Sequence, residues 1–166
     1  IIGGGPVGLS VALWCGFFGA RHIVVSDLVM TRAEQATRFG ATAAIDASKE
    51  DVSERFLELA GASPDVVFDA VGVPGSMQAA IGYAPIDGRV VVVGLCMVAD
   101  NFQPAEALIK EVDIAFCFVY DKNDFRMVID MLAQGRINAS ALVSHTVGFD
   151  AFPQAFEALK KPSDQI

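Results

Sequence analysis

The chain has 166 residues, 53% of them hydrophobic and only 19% charged, with a formal net charge of −8. That length fits one domain able to bury a real core, and an acidic balance without a basic cluster argues against a nucleic-acid partner. No apolar run reaches the length of a membrane span, because Gly, Pro or a charge interrupts each one. The N-terminus lacks the basic flank and cleavage site of a signal peptide. Cys15, Cys96 and Cys117 lie far apart in apolar segments, without metal-ligand spacing. They read as buried small hydrophobes of a protein in the reducing cytoplasm.

Ile1 and Ile2 stand directly before a glycine turn. Two residues are too few for a strand of a parallel sheet, so the chain reads as a fragment whose first strand, and whatever preceded it, lies elsewhere. Pro6 to Phe18 then reads as a buried helix, with Pro6 in its first turn and Gly19 at its end. Ile23 to Ser26 is a strand, Thr31 to Phe39 an amphipathic helix stopped by Gly40, and Ala43 to Ile45 a short strand. Glu50 to Leu59 is a helix, Asp65 to Asp69 a strand, and Ser76 to Ile81 another helix. Asp87-Gly88 turns the chain into the strand Arg89 to Val93. A last long apolar run, Val112 to Tyr120, precedes a helix from Asp124 to Leu132.

Alternating strands and helices with short connections predict a parallel α/β sheet. Right-handed crossovers place its helices on both faces, as three α/β/α layers. The tail, from about residue 140, reads as a strand at Leu142 to Val147 and a helix at Phe152 to Leu159. It fits either another sheet layer or a segment that packs toward a missing domain. Residues 1–166 are otherwise one unit.

Gly3-x-Gly5-x-x-Gly8 lies between the strand stub and the first helix, the context of a Rossmann-type dinucleotide fingerprint. One glycine permits the tight turn, the next lets backbone approach a pyrophosphate, and the third lets helix and strand pack closely. Free N–H groups and the helix dipole at the same end favour the anion. Asp27 ends the second strand, where an acid accepts hydrogen bonds from the adenosine ribose hydroxyls and repels the extra phosphate of NADP. A helix cap or a loop acid is the plainer alternative. Arg32 reads either as a neighbour of adenine or as a solvated helix residue. Ala70-Val71-Gly72 and Val93-Gly94-Leu95 follow two strand ends, where small residues leave room for a nicotinamide ring.

The ordered set GGGPVGL, VVSDLVMTR, FGATAAID, DVVFDAVG, GRVVVVGL and LAQGRINASALVSHTVGFDAFPQAFEAL resembles the medium-chain, zinc-type alcohol dehydrogenases over the full chain. The resemblance implies an oxidoreductase that moves a hydride between an alcohol or carbonyl substrate and nicotinamide. NAD is favoured over NADP. By position it implies that Gly3, Gly4, Gly5, Pro6, Val7 and Gly8 hold pyrophosphate and Asp27 holds ribose. Leu28 and Arg32 would flank adenosine, while Val71, Val93, Gly94, Leu95 and Cys117 would line nicotinamide. It further implies a homodimer through the edge strand Val112 to Tyr120.

Catalytic and structural zinc sites belong, by the same resemblance, to a preceding catalytic domain, where zinc acts as a Lewis acid on the substrate oxygen. His22 and His145 have no ligand neighbours in sequence and read as structural. No catalytic residue is expected in this chain, and the fragment alone is expected to be inactive. A zinc-independent quinone or enoyl reductase remains open, although Asp27 speaks against NADPH. A flavin-binding domain is disfavoured by the later motifs, and a non-catalytic NAD(H)-sensing module is the rival from outside enzymology.

Overall fold

The computed structural model describes residues 1–159. It is an α/β fold whose strands β1 (Val24–Asp27), β2 (Ala43–Asp46), β3 (Val66–Asp69), β4 (Arg89–Val92) and β5 (Asp113–Phe116) all pair in parallel. β1 pairs with β2, and β3-β4-β5 form the other half. Ile2 joins the halves, bridging in parallel to Ser26 on one side and to Asp69 on the other. The spatial order is therefore β2-β1-Ile2-β3-β4-β5, with the order reversing at the glycine turn that follows Ile2. Open α/β sheets bind ligands at such a reversal, beyond the carboxyl ends of the strands.

The expectation for Ile1 and Ile2 needs correction: two residues do sit in the sheet, at its centre. Ile2 N–H donates to the Phe68 carbonyl at 2.8 Å, Gly3 N–H to Ser26 at 2.7 Å, and Ser26 N–H to Ile1 at 2.9 Å. Strands on both sides supply partners, so the pairing needs little length of its own.

The helices are α1 (Pro6–Phe17), α2 (Met30–Gln35), α3 (Val52–Ala60), α4 (Ser76–Tyr83), α5 (Pro104–Ile109), α6 (Lys122–Ala133) and α7 (Phe152–Ala158). A 3-10 turn, Ala36–Phe39, continues α2. α1 is apolar around its circumference and buries Gly8, Leu9 and Ala12. Leu9, Ala12, Ile23, Val25, Ala36 and Phe39 form one core. Val67, Ala80, Ala84 and Val90 form a second, under α4. Full burial of a side chain such as Leu9 contributes about 2 kcal/mol. These two cores pack α1 and α4 against the sheet.

Three further expectations change, and one element is new. Val112 to Tyr120 is not one long strand: β5 covers only Asp113–Phe116, and Val119 takes φ 54°, which breaks the extended run. Leu142 to Val147 forms no strand; a 3-10 turn at Ser140–Leu142 leads into irregular chain, because no neighbouring strand offers it a ladder. Cys117 is exposed while Cys15 and Cys96 are half-buried, so the cysteines are not buried core residues. α5 was not anticipated; Pro104 starts it, and Glu106 holds it to α4 through Gln78 at 2.6 Å. Among the described residues no helix is long and apolar enough to cross a membrane.

Candidate functional site

The glycine turn is held by its own backbone and by Asp27. Gly3 has φ +99°, and a Cβ there would lie 2.8 Å from Val71 Cγ2. At Gly8 a Cβ would collide with the Gly3 carbonyl oxygen, so α1 starts as close to the turn as atoms permit. Gly5 differs: its nearest neighbour is the Arg32 guanidinium, 3.6 Å from where a Cβ would be. That position is free for a ligand to approach the backbone. Pro6 sits in the first turn of α1, where the first-turn N–H groups lack intrahelical acceptors and point outward with the positive end of the helix dipole.

Asp27 closes β1 beside this turn. Its Oδ2 accepts from Gly4 N–H at 2.8 Å and its Oδ1 from Val29 N–H at 2.9 Å. It does not cap α2, whose N-cap is Val29 without a side-chain bond. A carboxylate has about four acceptor positions, so two remain for ligand hydroxyls. Leu28 is exposed and Arg32 half-buried beside Gly5. Asp46 lies opposite Asp27 in the β1–β2 register. Lys49, bonded at 2.7 Å, and Ser48 hold its carboxyl below the usual carboxylate range.

A second group of residues sits at the ends of β3 and β4. Val71 packs on Gly3, which carries the line of contacts from the glycine turn across the switch point. Gly72 and Gly94 then meet backbone to backbone: a Cβ on Gly72 would fall 2.5 Å from Leu95 N, and one on Gly94 2.8 Å from the Val71 carbonyl carbon. Val93 and Gly94 are half-buried, whereas Val71 and Leu95 are exposed. Cys117 follows β5 one strand farther out and bonds through its N–H to Val92 at 2.9 Å. The structure thus brings together Gly3 to Gly8, Asp27 and Arg32, and joins them through Val71 to Gly94 and Leu95. Cys117 stands at the margin.

One residue at the centre of this arrangement escaped the sequence reading. Asp69 is 1% exposed and lies at the end of β3. The signal available for it was an acid two residues before a Val-Gly turn, the pattern of an Asx turn. No such signal exists for a metal site: among the described residues no three His, Cys, Asp or Glu side chains gather as ligands. His22 and His145 are both exposed.

A cavity of about 1080 Å³ lies away from this cleft, lined by Ile1, His22, Trp14, Phe56 and Val66 among others. It follows the starts of β1 and β3 rather than their carboxyl ends and reaches both α1 and α3.

Comparison with known proteins bears on the fold and the family. Mouse sorbitol dehydrogenase is 34% identical over 164 residues, covering 97% of this chain and 46% of that protein. Among solved structures, an Escherichia coli CFT073 protein described as a short chain alcohol dehydrogenase, complexed with NADH, superposes with a TM-score of 0.88 at 27% identity. That match covers 99% of this chain and 48% of the other. A zinc-binding dehydrogenase of Sinorhizobium meliloti 1021, bound to NADP, gives 0.83 at 26% identity over 98% of this chain and 48% of its own. The chain therefore spans about half the length of the relatives it matches. The family model described as zinc-binding dehydrogenase matches residues 6–134. On that match, and on a fold whose glycine turn meets an acid at the switch point, the chain belongs to the zinc-binding dehydrogenase family and carries its cofactor-binding domain.

Proposed function

We propose that this domain holds NAD, in preference to NADP, for a dehydrogenase acting on a small alcohol or carbonyl substrate. The observation that carries the reading is the bond from Gly4 N–H to Asp27, which joins the phosphate turn to the ribose acceptor. Gly5 and the start of α1 fit a pyrophosphate, since close backbone approach and free N–H groups are what that anion needs. The two remaining acceptor positions of Asp27 fit ribose hydroxyls, and its charge opposes a 2′-phosphate. Leu28 and Arg32 lie along the adenosine, and Val71, Val93, Gly94, Leu95 and Cys117 along the nicotinamide. When bound, the cofactor supplies hydride transfer, and this domain's part is to bind and orient it. Zinc, expected in a preceding catalytic domain, would activate the substrate oxygen there.

Calorimetry with NADH and NADPH tests this. NADH should bind at least about tenfold more tightly, the cost of placing a 2′-phosphate against a carboxylate. Tighter NADPH binding overturns the assignment of Asp27.

The same reading takes residues 1–166 as one domain of a longer enzyme. Two features support it. The chain spans about half the length of the relatives it matches. The tail begins by packing Ala141 and Leu142 on the α1 core, then leaves Val143, Phe149 and Phe156 exposed for further polypeptide to cover. Three free cysteines fit a reducing compartment, the cytoplasm.

The reading also includes a homodimer through β5. That strand is the sheet's edge, and Phe116, Phe118 and Tyr120 are each at least 70% exposed. An apolar edge of this kind is stable in water only when covered. Sedimentation velocity should show a dimer, and Phe116→Lys should shift it to monomer. A monomeric wild type removes this part of the reading.

A further inference from the structure

We infer that Asp69, buried behind the cleft, is the positioning residue that sets its nicotinamide side. The inference rests on the cofactor reading above and goes beyond the residues that resemblance or motif assigns. One residue here ties three segments together. Its Oδ1 accepts from Val71 N–H at 3.0 Å and from Gly72 N–H at 3.3 Å, which shapes the turn after β3. Its Oδ2 accepts from the Ser76 hydroxyl at 2.7 Å, which fixes the first residue of α4. Its main-chain carbonyl accepts from Val93 N–H at 2.9 Å and from Gly94 N–H at 2.8 Å, at the end of β4. Ile2, just before the glycine turn, bridges to the same residue.

No ion pair among the described residues includes Asp69, although it is 1% exposed. A buried carboxylate without a cation persists only when its oxygens are filled by donors, and here the donors are the loop itself. The arrangement therefore works in both directions: the loop satisfies the acid, and the acid holds the loop. Val71 and Gly72 sit in contact with Gly3, Gly94 and Leu95, so a shift of this turn moves the whole nicotinamide side. The glycine turn touches Val71 only at Gly3 and, with Asp27, is held separately by the bonds of Gly3 to Ser26 and of Gly4 to Asp27.

The acceptor geometry predicts which replacements are tolerated. Asn can keep its carbonyl oxygen on the Val71 and Gly72 N–H groups and donate its amide to Ser76 Oγ. The Ser76 proton then goes to the Val73 carbonyl, already 2.8 Å away. Ala leaves both N–H groups without an acceptor. The test titrates the intact protein with NADH and with ADP-ribose, which lacks the nicotinamide, and follows nicotinamide fluorescence on binding.

For Asp69→Ala, NADH affinity should fall about tenfold and the bound nicotinamide signal should be lost, with ADP-ribose affinity unchanged. Asp69→Asn should restore NADH binding to within about threefold of wild type. Equal loss of both ligands, or loss of neither, overturns the inference, as does an Asn variant no better than Ala. If the Ala variant does not fold, Ser76→Ala carries the same comparison. It should weaken NADH about threefold and leave ADP-ribose unchanged, and an equal effect on both ligands counts against the inference. A wild type that binds no ADP-ribose overturns the cofactor reading itself, and this inference with it.

Discussion

Asp27→Ala is expected to lower NADH affinity by about one to two orders of magnitude while leaving NADPH affinity nearly unchanged. Two effects combine. Hydrogen bonds to a charged acceptor are each worth about 1.5–3 kcal/mol, and every 1.4 kcal/mol is tenfold in affinity. The variant also strips the acceptor from Gly4 N–H, so the phosphate turn loses the bond that fixes its orientation toward β1. NADPH gains relief from the repulsion of its 2′-phosphate, which offsets the loosened turn. Asp27→Asn keeps an acceptor for Gly4 and should retain more NADH binding than Ala. Titration of both variants with both cofactors separates the roles. An Ala variant that kept its wild-type preference for NADH would remove Asp27 from the ribose.

The second large effect belongs to the glycine turn, where two positions should behave in opposite ways. Gly8→Ala places a methyl onto the Gly3 carbonyl oxygen. Neither backbone is free to yield: Gly3 N–H is bonded to Ser26 at 2.7 Å, and Leu9, the next residue of α1, is fully buried. α1 must tilt away from the sheet, with loss of about 3 kcal/mol of stability by the usual cost of overpacking. Gly5→Ala meets only the Arg32 guanidinium at 3.6 Å, the far end of a flexible side chain. It should leave the urea midpoint within about 0.5 kcal/mol of wild type and still weaken NADH and ADP-ribose together, because its methyl occupies the approach to the pyrophosphate. Denaturation curves and titrations on the pair decide the matter. A Gly5 variant with normal binding would place the phosphates elsewhere.

Both effects arise because this cleft is built mainly of backbone. At the start of α1 the cleft offers N–H donors without intrahelical acceptors, and at the Gly72–Gly94 contact backbone meets backbone, so side chains enter at few points. Asp27 and Asp69 are the two carboxylates that hold the backbone, one on each side of the glycine turn. The division matches the ligand proposed, with adenosine beside Asp27 and nicotinamide beside Asp69.

Much of this was legible from residue order. Local signals (a Pro in the first turn of α1, apolar runs bounded by glycine, an acid at the end of β1) are short-range and need no knowledge of distant partners. The errors fall where partners are distant. Leu142 to Val147 reads like a strand but pairs with none of the described strands. Val112 to Tyr120 is apolar apart from Asp113, yet the strand ends at Phe116. Cys117 sits in an apolar run and is exposed because β5 lies at the edge.

By itself, then, the amino-acid sequence determined the α/β class, the glycine turn, the acid beside it and the kinship with dehydrogenases, since each rests on residue type at short spacing. Only the tertiary structure decided that Ile1 and Ile2 pair at the centre of the sheet and that Gly72 meets Gly94. It alone decided that Asp69, unremarkable in the string DVVFDAVG, gathers the turn after β3, the start of α4 and the end of β4. Parallel strands bond to neighbours far away in sequence, so contacts made at their ends depend on register and crossover, which no local pattern encodes.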